Sequence, residues 1–283
     1  MDRTILIIYT GGTIGSVQTA AGGLAPLDFS EIHRHVPELV QDHLTIEAVS
    51  FEPPIDSSDM GVAHWVELAR MIHSRYDEFD GFVILHGTDT LAYTSSALSF
   101  MLEGLHKPVI LTGSQLPIGL PRTDGRENLL SAVEIASAQR LDAPIVQEVA
   151  VYFGSSLYRG NRTHKASAES MQAIISPNLP PLAEAGVDIQ FNDGILFRDP
   201  LVRLNVLETM ESRIAWLPLF PGQSTEIVKR ILDWNDLKGL VLSTYGSGNA
   251  PTNTELKTLL TEANNRGMSL VNVSQCSHGA VHP

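Results

Sequence analysis

The hydrophobic positions of this chain fall into two alternating rhythms. Short continuous apolar runs, Thr4–Tyr9, Gly81–His86, Pro108–Thr112 and Glu148–Phe153, are bounded by turn residues and read as strands. Between them, Gly61–Arg75, Ala92–Leu102 and Gly125–Arg140 space their apolar residues three and four apart, as a helix with one buried face does. Repeated strand–helix–strand units predict a parallel sheet. GFVILHG and PVILTG carry no alternating polar positions, so helices are expected on both faces of that sheet.

From Ser176 to Arg213 the rhythm gives way to Pro-rich and irregular text, SPNLPPLAEAG through FRDPLVRLN. IAWLPLF opens a second series, in which Glu226–Asp233, Gly239–Tyr245, Asn253–Arg266 and Ser269–Cys276 read helix, strand, helix, strand. The expected fold class is α/β, with a large N-terminal domain, 1–185, whose mainly parallel sheet is flanked by helices. A linker at 186–212 and a smaller C-terminal α/β domain at 213–283 follow.

Ligands of open α/β sheets bind outside the carboxyl ends of the strands, so the loops there are the place to look for chemistry. YTGGTIG presents Thr13; IDSSDM presents Ser57, Ser58 and Asp59; LHGTDT presents Thr88 and Asp89; LTGSQLP presents Ser114 and Gln115. LYRGNRTHK sets Lys165 among turn residues, and STYGSGNAP places Asn249 after a strand of the small domain. Each also has a structural use. Thr and Ser beside Gly are ordinary turn residues, Lys165 suits a solvated surface, and Asp89, Ser57 or Asp59 suit helix caps.

Composition narrows the ligand. The net charge of −13 comes without any basic run, which argues against nucleic acid and anionic membranes as partners and favours small molecules. The single cysteine, Cys276, excludes an internal disulfide, and the chain enters its first strand without a signal segment, so a cytoplasmic location is expected. No apolar run approaches the roughly 20 residues of a membrane span. GGTIG lacks the spacing of a dinucleotide fingerprint, no Gly-Lys-Ser/Thr closes a Walker loop, and YGSGN is one residue too tight for a serine-hydrolase elbow. Neither a cysteine pair nor a His-Glu-x-x-His pattern offers a metal site. Hydroxyl chemistry by threonine is left: a weak nucleophile until a base takes its proton, with Lys165 available to Thr88 as one such base.

Taken together, TGGTIGS, DSSDM, DGFVILHGTDTLAYTSSALSFML, KPVILTGSQLP, LYRGNRTHKA and YGSGNAP resemble bacterial L-asparaginases of the cytoplasmic type I group, within the asparaginase and glutaminase family. The resemblance implies hydrolysis of L-asparagine to L-aspartate and ammonia without metal or organic cofactor, by a homotetramer built as a dimer of dimers. It implies Thr13 as nucleophile on the amide carbon, and Thr88 with Lys165 as a second catalytic group that positions or activates water. Asp89 would bind the substrate α-amino group, Ser57 and Ser58 its α-carboxylate, and the backbone of Ser114 the amide. Asn249 would reach a neighbouring subunit's site. Two departures stand out. Leu24 occupies the place where family members carry a loop tyrosine paired with the nucleophile, so either the loop aligns differently, Tyr9 or a neighbour's residue substitutes, or turnover is slow. Family chains also continue beyond CSHGAVHP, so the small domain is expected to be incomplete at Pro283. An amidase of other specificity, such as a glutaminase or an amidotransferase subunit acting on tRNA-borne amides, and a non-catalytic amino-acid sensor are the alternative readings.

Overall fold

The computed structural model describes residues 2–18, 24–26, 32, 36–200 and 203–282. The chain divides into two compact units, Met1–Glu208 and Thr209–Pro283. The first is built on an eight-stranded sheet. In chain order its strands are β1 (Arg3–Tyr9), β2 (Leu44–Ser50), β3 (Gly81–Leu85), β4 (Val109–Thr112), β5 (Val149–Phe153), β6 (Ser156–Arg159), β7 (Ala183–Ala185) and β8 (Ile189–Phe191). In space they run 8-7-6-5-4-3-1-2, with β2, β1, β3, β4 and β5 parallel and β6 to β8 antiparallel.

The two faces of the sheet are filled by different helices. Leu68 and Ile72 of α1 (Val62–Ser74) and Leu91, Leu98 and Met101 of α2 (Leu91–Met101) pack with Leu6, Ile8, Phe82 and Ile84. On the opposite face, Leu129, Val133 and Ile135 of α3 (Gly125–Ser137) pack with Ile5, Ile7, Val83 and Leu85. Successive strand residues point to opposite faces, so burial on both sides requires the continuous apolar runs seen in the sequence. Each fully buried side chain of this size contributes about 1.5–3 kcal/mol by leaving water.

β2 announces itself differently. It pairs on one side only, and Leu44, Ile46 and Ala48 alternate with exposed Thr45 and Glu47, so no continuous run marks it. β6 follows β5 through Gly154-Ser155, both at positive φ (57° and 71°), the two-residue geometry that a tight hairpin requires. The stretch expected as a linker, 186–212, begins by donating β8 to the sheet edge through a hairpin with β7.

The second unit has three parallel strands, β9 (Ile214–Pro218), β10 (Gly239–Thr244) and β11 (Ser269–Ser274), in that spatial order. Helices α4 (Thr225–Leu232) and α5 (Thr254–Asn265) start where Ser224 and Asn253 accept the backbone N–H groups of Glu226 and Glu255. Their Val228, Leu232, Leu256 and Ala263 pack with Leu217, Leu240 and Leu242. No helix among the described residues is long and apolar enough to cross a membrane.

The order 2-1-3-4-5 has a consequence for ligands. The chain leaves β1 toward β2 on one side, then crosses by α1 to β3 on the other, so a crevice forms where the β1 and β3 exits diverge.

Candidate active site

A cleft of about 320 Å³ occupies that crevice. Tyr9, Gly12, Thr13 and Ser16 reach it from the end of β1, Pro54 to Ser57 from the loop after β2, and Gly87, Thr88 and Asp89 from the loop after β3. Glycines let these loops nest. Gly12 sits at φ 88°, and a Cβ there would lie 2.5 Å from the Cα of Gly87; a Cβ on Gly87 would lie 2.5 Å from the Ser57 hydroxyl. Side chains at either position would force the loops apart.

Thr13 opens a single 3₁₀ turn, Thr13–Gly15, at the cleft wall. The buried Tyr9 hydroxyl braces this turn, lying 3.3 Å from the carbonyl of Gly12 and 3.2 Å from that of Gly15. Burial pushes the phenol up to about 12, so near neutral pH Tyr9 holds its proton and acts as a donor, not a base. Leu24 lies in a short strand, Leu24–Pro26, paired with Ser16–Gln18; its side chain, and the role expected of it, lie outside the described residues.

Thr88, Asp89 and Lys165 meet directly. The Lys165 Nζ donates to Thr88 Oγ1 at 2.9 Å and to Asp89 Oδ1 at 2.7 Å. Lys165 is not in a turn, as the sequence suggested, but in a two-residue strand, His164–Lys165, laddered to Ile174–Ile175 and 18% exposed. Nor does Asp89 cap the following helix: α2 begins after Thr90 without a side-chain cap, and the Asp89 carboxylate is given to Lys165.

The serines are placed less uniformly. Ser57 is buried, lines the cleft, and has its carbonyl held by the Thr90 hydroxyl at 2.6 Å. The Ser58 hydroxyl is instead turned back to Asp56 Oδ1 at 2.7 Å, because the Asp56 side chain caps the Ser57–Asp59 turn. Ser114 is buried one loop away, its hydroxyl donating to the Leu116 carbonyl at 2.6 Å, and it is not among the residues lining the cleft. Asn249 belongs to the second unit, where its backbone closes a turn on Tyr245.

The pattern in the sequence did not single out two residues that matter here. Asp56 lines the cleft, and hydrogen bonds from the Ser58 N–H and hydroxyl hold its carboxyl below the ordinary carboxylate range. It therefore adds a second negative charge beside Asp89, favourable to a cationic group on a ligand. The other is His86. His86 is fully buried between α2 and the Gly87 loop, with Nδ1 2.7 Å from the Gly87 carbonyl and Nε2 2.8 Å from the Thr94 hydroxyl. A carbonyl only accepts, so Nδ1 carries the hydrogen, Thr94 donates to Nε2, and Thr94 accepts in turn from Trp65 Nε1 at 2.9 Å.

Burial lowers the His86 pKa from 6.5 to about 4. Between those values the unfolded chain takes up a proton that the folded chain refuses, so this part of the stability is whole above 6.5 and is lost as pH falls toward 4. The total loss is on the order of 3 kcal/mol. Denaturant unfolding at pH 7.5 and pH 5 should show wild type losing about 2 kcal/mol more than His86→Asn over that interval. Parallel losses would mean that His86 does not carry the acid sensitivity.

Comparison with known proteins agrees with the architecture. Residues 4–196 match the asparaginase N-terminal family model, and residues 213–283 match the glutaminase/asparaginase C-terminal domain. The chain is 42% identical to L-asparaginase 1 of Escherichia coli K12 over 297 aligned residues, covering 99% of this chain and 82% of that protein. It is 41% identical to the human 60 kDa lysophospholipase, spanning 52% of it. The structure of L-asparaginase I from Vibrio cholerae superimposes with a TM-score of 0.89 at 40% identity, covering 98% of this chain and 82% of that one. With its two parts matched by the two family models and nearly all of its length aligned to these relatives, the chain belongs to the asparaginase family.

Proposed function

We propose that this chain hydrolyses the side-chain amide of L-asparagine to L-aspartate and ammonia, with Thr13 as the nucleophile. The observation that carries the reading is the convergence of two threonines from different strand ends on one small cleft, with an amine bonded to the second of them. Thr13 Oγ1 bonds to the amide carbon and yields its proton; the C–N bond breaks and nitrogen leaves as ammonia carrying that proton. Water held at Thr88 then attacks the resulting ester, restoring the Thr13 hydroxyl and leaving the carboxylate. Every nucleophile and proton in this scheme comes from side chains and water.

Binding follows from the charges. Asp89 and Asp56 face the α-ammonium, while Ser57 and the loop N–H groups accommodate the α-carboxylate without a cation. A cleft of this size, walled by hydroxyls, carboxylates and glycine backbone, suits an amino-acid amide better than an acyl chain. Its likeness to type I enzymes supports a cytoplasmic homotetramer, in which Asn249 completes a neighbour's site.

Steady-state ammonia release from L-asparagine and L-glutamine tests the proposal. The expected result is turnover of asparagine with a much smaller kcat/KM for glutamine. Equal constants would turn the reading to a general amidase; saturable binding of asparagine without ammonia would turn it to a sensor.

A further inference from the structure

Gln115 links Thr88 to the backbone just beyond Lys165. Its Nε2 donates to the carbonyls of Ala168 and Ser170, both at 3.0 Å, just beyond the strand that bears Lys165. Two carbonyls can only accept, so the amide nitrogen is fixed on that side and Oε1 is turned toward Thr88. The Thr88 hydroxyl lies 3.4 Å from this oxygen, long for a hydroxyl donor and free to shorten when the cleft fills. The Gln115 backbone is fixed as well, its N–H held by both carboxylate oxygens of Asp124 at 3.1 and 2.9 Å.

These contacts give the hydrogen bonds one direction. Lys165 donates to Thr88, Thr88 donates to Gln115, and Gln115 donates to the 168–170 backbone. The single hydroxyl hydrogen of Thr88 is thereby committed away from the cleft, and one lone pair of Oγ1 stays open to it. We propose that Gln115 is a positioning residue that makes Thr88 an acceptor toward the cleft, so that a water there is held by its own hydrogen with its oxygen lone pair aimed at the substrate. The inference rests on the amide-hydrolysis reading above and adds to it the group that orients Thr88.

Gln115→Met keeps the length of the side chain and removes both polar ends. On L-asparagine we expect kcat to fall about 10- to 100-fold with KM changed by less than about 3-fold, since the water-positioning step is lost and the groups facing the amino acid are untouched. Gln115→Glu supplies the second readout. Protonated, its carboxylic acid offers the same pair as the amide, an O–H donor to the 168–170 carbonyls and a C=O acceptor for Thr88; ionised, it faces those carbonyls with negative charge. Its kcat relative to wild type should therefore rise as pH is lowered from 8 to 5, whereas Gln115→Met should show a flat ratio. A Gln115→Met kcat within about twofold of wild type, a loss confined to KM, or a flat Gln115→Glu ratio would overturn the assignment. Wild-type protein that releases no ammonia would overturn the amide-hydrolysis reading itself, a separate outcome.

Discussion

Thr13→Ala is expected to lower kcat on L-asparagine by about 10⁴-fold or more, as loss of a covalent nucleophile does, with Tm unchanged within about 2 °C. The hydroxyl opens a turn at the cleft wall and belongs to neither apolar core of the first unit, so removing it opens no cavity there. The turn keeps its brace, because Tyr9 binds the carbonyls of Gly12 and Gly15, not the Thr13 side chain. Thr88→Val should cost less, about 10²- to 10³-fold, the range of an acid–base or positioning group. The contrast is informative in single turnover. With Thr88→Val, an ester on Thr13 should accumulate and be trapped on acid quench, whereas Thr13→Ala should form none. Equal, small losses in both variants would remove threonine from the chemistry.

How much of this was legible in the sequence depended on burial. β1, β3, β4 and β5 are covered on both faces, so their runs are unbroken and readable, and the loops at their carboxyl ends contained Thr13, Thr88 and Asp89 as expected. β2 escaped notice because an edge strand need satisfy only one face; the alternation in LTIEAVS is its only signal. Without β2, the IDSSDM loop had no strand to follow, and Asp56 passed as one more turn residue although it lines the cleft. Lys165 meets Thr88 and Asp89 from a strand and not from the expected turn, since a two-residue ladder with Ile174–Ile175 has no periodicity to detect. The turning of the Ser58 hydroxyl to Asp56, and of the Gln115 amide between Thr88 and two carbonyls, are choices of side-chain rotamer that the order of residues does not encode.

Asp89→Ala carries the other large expectation, and it separates binding from chemistry. Its carboxylate side chain is 67% exposed, so its ion pair with Lys165 contributes little to folding and the variant should remain folded. In the proposed binding mode, water leaves as substrate fills the cleft and the same carboxylate meets the α-ammonium. Losing one partner of a desolvated charge pair costs about 2–5 kcal/mol, or about 30- to 4,000-fold in kcat/KM. Succinamic acid, which is asparagine without its ammonium, tells the two duties of Asp89 apart. Wild type should prefer asparagine strongly, and Asp89→Ala should nearly abolish that preference by losing asparagine turnover alone. Whatever loss the two substrates share measures the second duty, the hold on Lys165 at 2.7 Å, because that contact is present whichever substrate is bound. If both substrates fall by the same factor, Asp89 acts only through Lys165, and the ammonium must be met by another carboxylate, for which Asp56 is the group already ionised at the cleft wall.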